Sequence, residues 1–173
     1  DAAVFNYNRS QAYVEAVLEW ARRYTGPLAT SAVPIAGYAL VVPAALVTEI
    51  SLSRAHHDYA AIDLGIPVGT PLFAMTSGTV TTASSAGIFP EDPNRCGTTV
   101  AIAGVDGATY TYCHLSRLAV VPGQVVAAGS PIGLSGGQPG SPGAGNTTGP
   151  HLHLGIRFAG ATICPQPLLL AMY

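Results

Sequence analysis

Frequent glycine and proline residues constrain the fold of this chain more than any other feature of its sequence. Its 173 residues include 20 Gly and 14 Pro, a density of turn formers that argues against a helical bundle. From about Ile50 onward, the residues between these turns form short β-rich or alternating runs. The sequence therefore predicts a mainly β domain built from antiparallel strands.

The segments after residue 45 follow strand and hairpin patterns. The clearest hairpin is 98–116, in which two β-rich runs flank Gly104-Val105-Asp106-Gly107. Residues 135–149 form a long loop rich in Gly, Pro and Ser, and loops of this length in compact domains are often functional. We also expect strands or hairpins in four further segments: 46–53, 60–66, 69–87, and 120–136 with its turn at Pro122-Gly123.

Residues 1–46 have a different character from the rest of the chain. Segment 10–24 places apolar residues at helical spacing after Ser10, a good N-cap, and ends before Gly26-Pro27. An apolar, proline-cut stretch follows, which we interpret as an extended linker lying against the next domain. The predicted organisation is thus one N-terminal helix with its linker, 1–46, and a β domain, 47–173.

Charge and hydropathy exclude several classes of function. Only 9% of residues are charged, the net charge is -2, and the seven basic residues are scattered arginines. The sequence therefore predicts no nucleic-acid partner. No uninterrupted apolar run reaches the roughly 18 residues of a membrane span. The chain begins at Asp1 without a signal peptide, so we expect a mature or trimmed fragment. We also expect the protein to be a monomer.

The motif Pro150-His151-Leu152-His153-Leu154 suggests a metal site. Strand residues two apart point to the same face, so His151 and His153 share one face and the leucines take the other. His57 and Asp63 are six residues apart, which places them on one face if the segment is extended. His57, Asp63 and His153 then form the two-histidine, one-carboxylate set of a catalytic zinc site. His56 has the wrong parity unless a bulge intervenes, and it stays an alternative ligand.

His114 and the cysteines extend this picture. His114 ends a strand on which it shares a face with Tyr110 and Tyr112, while Cys113 points the other way. His114 and His151 are then imidazoles near the metal that can accept a proton or stabilise an oxyanion. Across the hairpin, position 113 faces about position 98, so Cys96 lies within reach of a disulfide to Cys113. A pairing of either cysteine with Cys164 is the alternative.

Several of these segments together resemble one family. From about Tyr38 to Pro167 the chain is similar to the lysostaphin-type zinc endopeptidases of peptidoglycan: HDYAAID with IPVGTPLFA, YCHLS, VVPGQVVAAGSPIG and TGPHLHLGI occur in the family's order. The resemblance implies an antiparallel two-sheet β-sandwich with a groove over the central sheet. It implies Zn²⁺ bound by His57, Asp63 and His153, catalytic His114 and His151, and a peptidoglycan peptide as substrate.

The spacing departs from the family's usual His-x-x-x-Asp, because Tyr59 stands four residues before Asp63. The chain resembles an HDYxAxD form common in high-GC actinobacteria, which implies a secreted or cell-wall-associated bacterial enzyme. We expect the loop 135–149 and the loop after Ala83, including Pro90 to Asn94, to wall the groove. The alternative is a relative that kept the fold as a catalytically inactive peptidoglycan-binding or scaffolding module.

Overall fold

The structure is a computed structural model that describes residues 37–85 and 95–173. The helix predicted over 10–24 and the predicted wall at Pro90 to Asn94 lie outside the described residues. The division of the chain at residue 46 also stays a prediction.

The described chain is built mainly from short β-strands. A single 3-10 turn, Ala44–Leu46, precedes a short helix α1, Glu49–Ser53, and the chain ends in helix α2, Gln166–Met172. The strands are β1 Ile62–Leu64, β2 Pro71–Phe73, β3 Gly78–Ser84, β4 Thr99–Gly104, β5 Thr109–Cys113, β6 Leu115–Leu118, β7 Val125–Val126, β8 Pro131–Ser135, β9 Leu152–Phe158 and β10 Ala161–Ile163.

These strands form two antiparallel sheets. The larger sheet has the order β1-β9-β5-β4-β3-β7, and β10 also pairs with β9. The smaller sheet has the order β2-β8-β6. The mainly β, antiparallel, two-sheet architecture expected from the sequence is therefore confirmed, and the predicted hairpin over 98–116 is present as β4 and β5.

One hydrophobic core takes side chains from both sheets. Alternation produces it: in β9, Leu152, Leu154 and Ile156 are fully buried, while the residues between them face the other way. Leu72 and Ile132 contribute from the smaller sheet. Burying each such side chain contributes about 1.5–3 kcal/mol. The opposite face of β9 is thereby left free of core packing, and the candidate site lies there.

The segment before β1 packs on this core. The Ala39 N–H donates to the Met75 carbonyl at 2.8 Å, and the Phe73 N–H donates to the Val41 carbonyl at 2.9 Å. Val41 and Val42 are buried in the core cluster. Residues 39–42 therefore lie against the β domain.

Two predicted elements are wrong. Segment 46–53 is not a strand, because Thr48 and Ser51 form a capping box that starts helix α1. Segment 120–136 is not a hairpin: β7 pairs with β3, whereas β8 pairs with β2 and β6. Pro122-Gly123 does form a turn, but that turn carries the chain from one sheet to the other.

None of the helices within 37–85 and 95–173 has the length and hydropathy to cross a bilayer.

Candidate metal centre

The register of β1 against β9 brings the first two polar side chains together. Asp63 lies directly opposite His153 across the antiparallel ladder, so both side chains leave the same face of the sheet. The distance from His153 Nδ1 to Asp63 Oδ1 is 2.7 Å. On its other side His153 pairs with Cys113 of β5. His153 therefore lies on an inner strand of the larger sheet, and Asp63 lies beside it on the edge strand β1.

The segment 54–61, between α1 and β1, adds a third donor. Its His56 Nε2 lies 3.6 Å from Asp63 Oδ2, and the donor atoms of His56, Asp63 and His153 all lie within 4.8 Å of one another. Gln166, the first residue of α2, supports this segment. Its side-chain amide donates to the Arg54 carbonyl at 2.9 Å and to the Ala61 carbonyl at 2.8 Å, and so holds both ends of the segment.

His57 lies away from this cluster. Its side chain is 73% exposed and its Nε2 is 2.9 Å from Asp58 Oδ2, whereas the His56 side chain is 5% exposed. The parity argument for His57 requires an extended backbone up to Asp63, but residues 57–60 are bends. The structure therefore brings His56 next to Asp63, which is the alternative that the sequence left open. A second group of donors, His56, His57 and Asp58, is mostly exposed.

His151 and His114 stand together beside the cluster. Their ring centroids are 4.6 Å apart, and His151 Nε2 is 3.7 Å from Asp63 Oδ1. Both rings use Nδ1 for a backbone carbonyl: His114 Nδ1 is 2.7 Å from the Ala144 oxygen, and His151 Nδ1 is 2.8 Å from the Gly149 oxygen. A carbonyl only accepts, so each Nδ1 carries a proton and donates it. Each neutral imidazole then has its lone pair on Nε2.

The backbone at His114 breaks the strand alternation. Its φ is 64°, in the left-handed region that few residues other than glycine adopt. A Cys96–Cys113 disulfide, with 4.9 Å between the Cα atoms, and a 2.8 Å hydrogen bond from the His114 N–H to the Cys96 carbonyl hold it there. The predicted disulfide is confirmed. The prediction that His114 shares a face with Tyr110 and Tyr112 is wrong: both tyrosines are buried, and His114 turns toward the groove.

Electrostatics set the charge state of these groups. Burial alone would raise the pKa of Asp63, but the hydrogen bond and charge of His153, with the charges of His151 and His56, lower it below its ordinary value. Burial, followed by the charge of neighbouring His151, lowers the pKa of His114 to about 4. Burial also lowers the pKa of His56, against the attraction of Asp63. The lowered pKa values favour the carboxylate form of Asp63 and the neutral forms of His56 and His114, and carboxylates and neutral imidazoles are the forms that bind metals.

Residues 57–165 match the sequence profile of peptidase family M23. This chain belongs to peptidase family M23. The matched segment contains Asp63, His114, His151 and His153 but begins at His57, one residue after the histidine that geometry places in the cluster.

Three relatives illustrate the similarity of this M23 chain to known proteins. It is 31% identical over 112 residues to the DD-carboxypeptidase/endopeptidase Mpg of Neisseria meningitidis, which covers 65% of this chain and 23% of that protein. The catalytic domain of the antimicrobial peptidase lysostaphin from Staphylococcus simulans is 27% identical, with a TM-score of 0.52, over 87% of this chain and 96% of that domain. A point mutant of the catalytic domain of the prophage-encoded M23 protein EnpA from Enterococcus faecalis is 30% identical, with a TM-score of 0.51, over 64% of this chain and 78% of that domain. The chain thus spans less than a quarter of the Neisseria protein.

The centre of the M23 domain opens into a groove of about 530 Å³ lined by the five site histidines and Asp63. Asn146 and Thr147 of the predicted wall 135–149 line it, as expected. Gly143, at φ 76°, lets this loop pack tightly, because a Cβ there would collide with the Thr98 hydroxyl. A cavity of this size suits a segment of peptide or a small ligand.

Sequence reasoning missed three residues that act on the site. The Tyr59 hydroxyl lies 3.1 Å from His153 Nε2, the Thr147 hydroxyl lies 3.2 Å from His151 Nδ1, and Gln166 holds the His56 segment. Tyr59 had a signal, since it stands within the motif HDYAAID. Thr147 and Gln166 had none, because their partners are distant backbone carbonyls or a histidine fixed only by the loop fold.

Proposed function

We propose that this M23 domain is a zinc endopeptidase that hydrolyses amide bonds in peptidoglycan peptides, with His56, Asp63 and His153 as the metal ligands. The observation that carries the proposal is the convergence, in one open groove, of this donor cluster with the paired rings of His114 and His151. His56 here replaces His57 of the sequence-based prediction.

The donor set fits zinc. Ligand atoms about 2.0–2.1 Å from a tetrahedral zinc are roughly 3.3 Å apart. The distance from His56 Nε2 to Asp63 Oδ2 is 3.6 Å and that from His153 Nδ1 to the other oxygen, Asp63 Oδ1, is 2.7 Å, so each histidine lies near one carboxylate oxygen at about this spacing. Three protein ligands with one open position are typical of catalytic zinc sites. When bound, zinc supplies an acidified water and polarises the scissile carbonyl.

Two contacts around the ligands bear on their tautomers. His153 faces Asp63 with Nδ1, so its Nε2–H can donate to the Tyr59 hydroxyl, and such outer contacts orient a metal-binding ring. His56 faces Asp63 with Nε2, while its Nδ1 accepts the N–H groups of Asp58 and Tyr59 at 3.2 and 3.4 Å. An imidazole has one lone pair, so metal binding at Nε2 gives up these two long hydrogen bonds.

The two remaining histidines have the tautomer that a general base needs. His151 presents an Nε2 lone pair toward Asp63 and is partly exposed, so we assign it the transfer of the proton from the attacking water. Burial lowers the pKa of His114 and makes it the weaker base. We assign His114 to the oxyanion, to which its Nε2 can donate only while it holds the proton that the attacking water gives up.

The substrate and location follow from the relatives and from the disulfide. The Neisseria relative is named a DD-carboxypeptidase/endopeptidase, and a peptidoglycan peptide is an extended chain that suits an open groove. The Cys96–Cys113 disulfide favours an oxidising, extracytoplasmic compartment. We therefore propose that the domain works outside the cytoplasm on the cell wall.

Single alanine variants at His151 and His153 test this proposal, because the two neighbours have different roles. We expect His153→Ala to lose its zinc and, with it, activity. We expect His151→Ala and His114→Ala to keep about one zinc per chain and stay folded, while turnover of purified peptidoglycan falls about 10²–10³-fold. Metal content by mass spectrometry and release of amino groups are the two measurements.

Three results would contradict these assignments. Loss of zinc from His151→Ala with retention in His153→Ala would reverse the roles. Zinc bound by the wild-type chain without release of amino groups from peptidoglycan would favour the inactive binding module. Zinc and activity retained in all three variants would exclude this groove as the active site.

A further inference from the structure

The groove continues along β9 beyond the metal centre. The buried face of this strand consists of Leu152, Leu154, Ile156 and Phe158. The other face presents, in order, His153, Gly155 and Arg157, and all three line the groove. The floor of the groove therefore runs from a metal ligand, over a glycine, to an arginine.

Gly155 keeps this floor open. A Cβ at this position would have no atom within 4 Å, and its φ is not in the left-handed region. Neither backbone conformation nor close packing therefore requires glycine here. On β5 its ladder partner is Thr111, a small polar residue that also lines the groove. An extended peptide can accordingly pass over this point without meeting a bulky side chain.

Arg157 stands where this floor ends. Its side chain is exposed, and its Nη2 donates to the Gly160 carbonyl at 3.2 Å, which fixes one edge of the guanidinium. A guanidinium has five N–H donors in a planar fork, so most of them remain available to a ligand. Thr162, its partner on β10, lines the same end of the groove and adds a hydroxyl.

The other charged groups of the described groove belong to the metal end. Asp63 is in the cluster, Asp58 contacts His57, and Arg95 lies over the Tyr59 ring at 5.4 Å from its centroid. Arg157 is four residues after His153 on the strand, which corresponds to about 14 Å at 3.4 Å per residue. An extended substrate has the same rise, so a group some three to four residues from the reacting bond reaches the guanidinium.

We propose that Arg157 is a specificity-determining residue that binds a carboxylate on the substrate peptide, so that this groove selects carboxylate-bearing stem peptides over uncharged bridges such as polyglycine. The fork geometry of arginine matches a carboxylate bidentately. The inference rests on the proposed function in taking a peptide as the occupant of the groove.

Paired peptides test this selection directly. The probes are Gly/Ala hexapeptides with a single Glu placed at each position in turn, each with its Gln counterpart. Binding is measured by NMR titration of the chelator-dialysed chain, in which no hydrolysis interferes. We expect one or two adjacent Glu positions to bind about tenfold tighter than their Gln counterparts. Arg157→Gln should abolish this preference, and Arg157→Lys should retain part of it.

Arg117→Gln is the matched control, since Arg117 is an exposed arginine on β6 of the other sheet. It should keep the full preference. Equal binding of every Glu and Gln pair, or a preference that survives Arg157→Gln, would overturn the inference. Hydrolysis of peptidoglycan without a Glu preference would remove the inference and leave the proposed function. A Glu preference without hydrolysis of peptidoglycan would support the role of Arg157 in binding and contradict the proposed hydrolytic function.

Discussion

His56 and His57 are adjacent imidazoles in opposite environments. His56 is enclosed between Asp63, His153 and the Tyr59 ring, whose centroid is 4.5 Å from its own. His57 stacks on the outside of His56 and pairs with Asp58, where solvent screens the interaction. Only the enclosed ring faces the other two donors, so the two residues should differ sharply in a metal assay.

We therefore expect His56→Ala to lose most of its zinc after dialysis and His57→Ala to keep it, with metal content measured by mass spectrometry. Removing one of three protein ligands lowers zinc affinity by several orders of magnitude, whereas removing an exposed ring leaves the donor set intact. Melting curves control for folding. The opposite pattern would mean that the segment 54–61 rearranges on metal binding and brings His57 inward.

The sequence predicted Asp63, His153, His151 and His114 as site residues, and the structure brings these four side chains into one groove. Each lies in or directly beside a strand of the larger sheet, where alternation or motif order applies. The choice between His56 and His57 could not be predicted in this way. Residues 57–60 are bends, and side chains alternate between two faces only along an extended backbone. The orientation of His114 could not be predicted either. Its left-handed backbone is held by the disulfide and by the hydrogen bond from its N–H to the Cys96 carbonyl.

The loop 136–149 acts on the site as one element. It supplies the carbonyls of Ala144 and Gly149 that fix both imidazoles, and its Thr147 hydroxyl donates to the Gly149 carbonyl at 2.8 Å while lying 3.2 Å from His151 Nδ1. The sequence predicted this loop and its place beside the groove. It could not predict these contacts, which arise only when the loop packs against residues 97–98.

Thr147 is thus a positioning residue for His151. We expect Thr147→Val to keep its zinc and to lower kcat about tenfold with little change in KM, since a contact that orients the general base is lost. Thr147→Ser, which keeps the hydroxyl, should restore kcat. Steady-state kinetics on a soluble peptide provide the comparison. A Ser variant as slow as the Val variant would show that the methyl group and its packing matter, not the hydroxyl.

Other elements show the limits of local patterns. The strand-like run 46–53 contains helix α1 and no strand, because the capping box of Thr48 and Ser51 stabilises a helical start at Glu49. The turn at Pro122-Gly123 was predictable, but its flanking strands pair with β3 and β8, which are not joined to each other in either sheet. The residue types of a turn indicate where a chain reverses direction. Which strands then pair with each other depends on the packing of the whole core.

For the whole molecule, the donor cluster joins three parts of the fold: the segment 54–61, β1 and β9. A ligand that binds only the folded state stabilises it by about 2.7 kcal/mol at a hundred times its Kd. We expect zinc at that excess to raise the melting temperature of the chelator-treated chain by about 5–10 °C. Differential scanning calorimetry gives the shift. His153→Ala should show little of it and His57→Ala should show all of it; an equal shift in both would place the stabilising zinc elsewhere.

Asp63 and His153 are partners across adjacent strands, yet they lie 90 positions apart in the chain. Contacts of this span carry a larger loop-closure entropy than local contacts, so a fold that depends on them forms more slowly. During synthesis, residue 63 emerges well before the strand that completes its site. A chain that ends before β9 therefore lacks His153, one of the three members of the donor cluster. The cluster of His56, Asp63 and His153 is therefore complete only after β9 has inserted between β1 and β5.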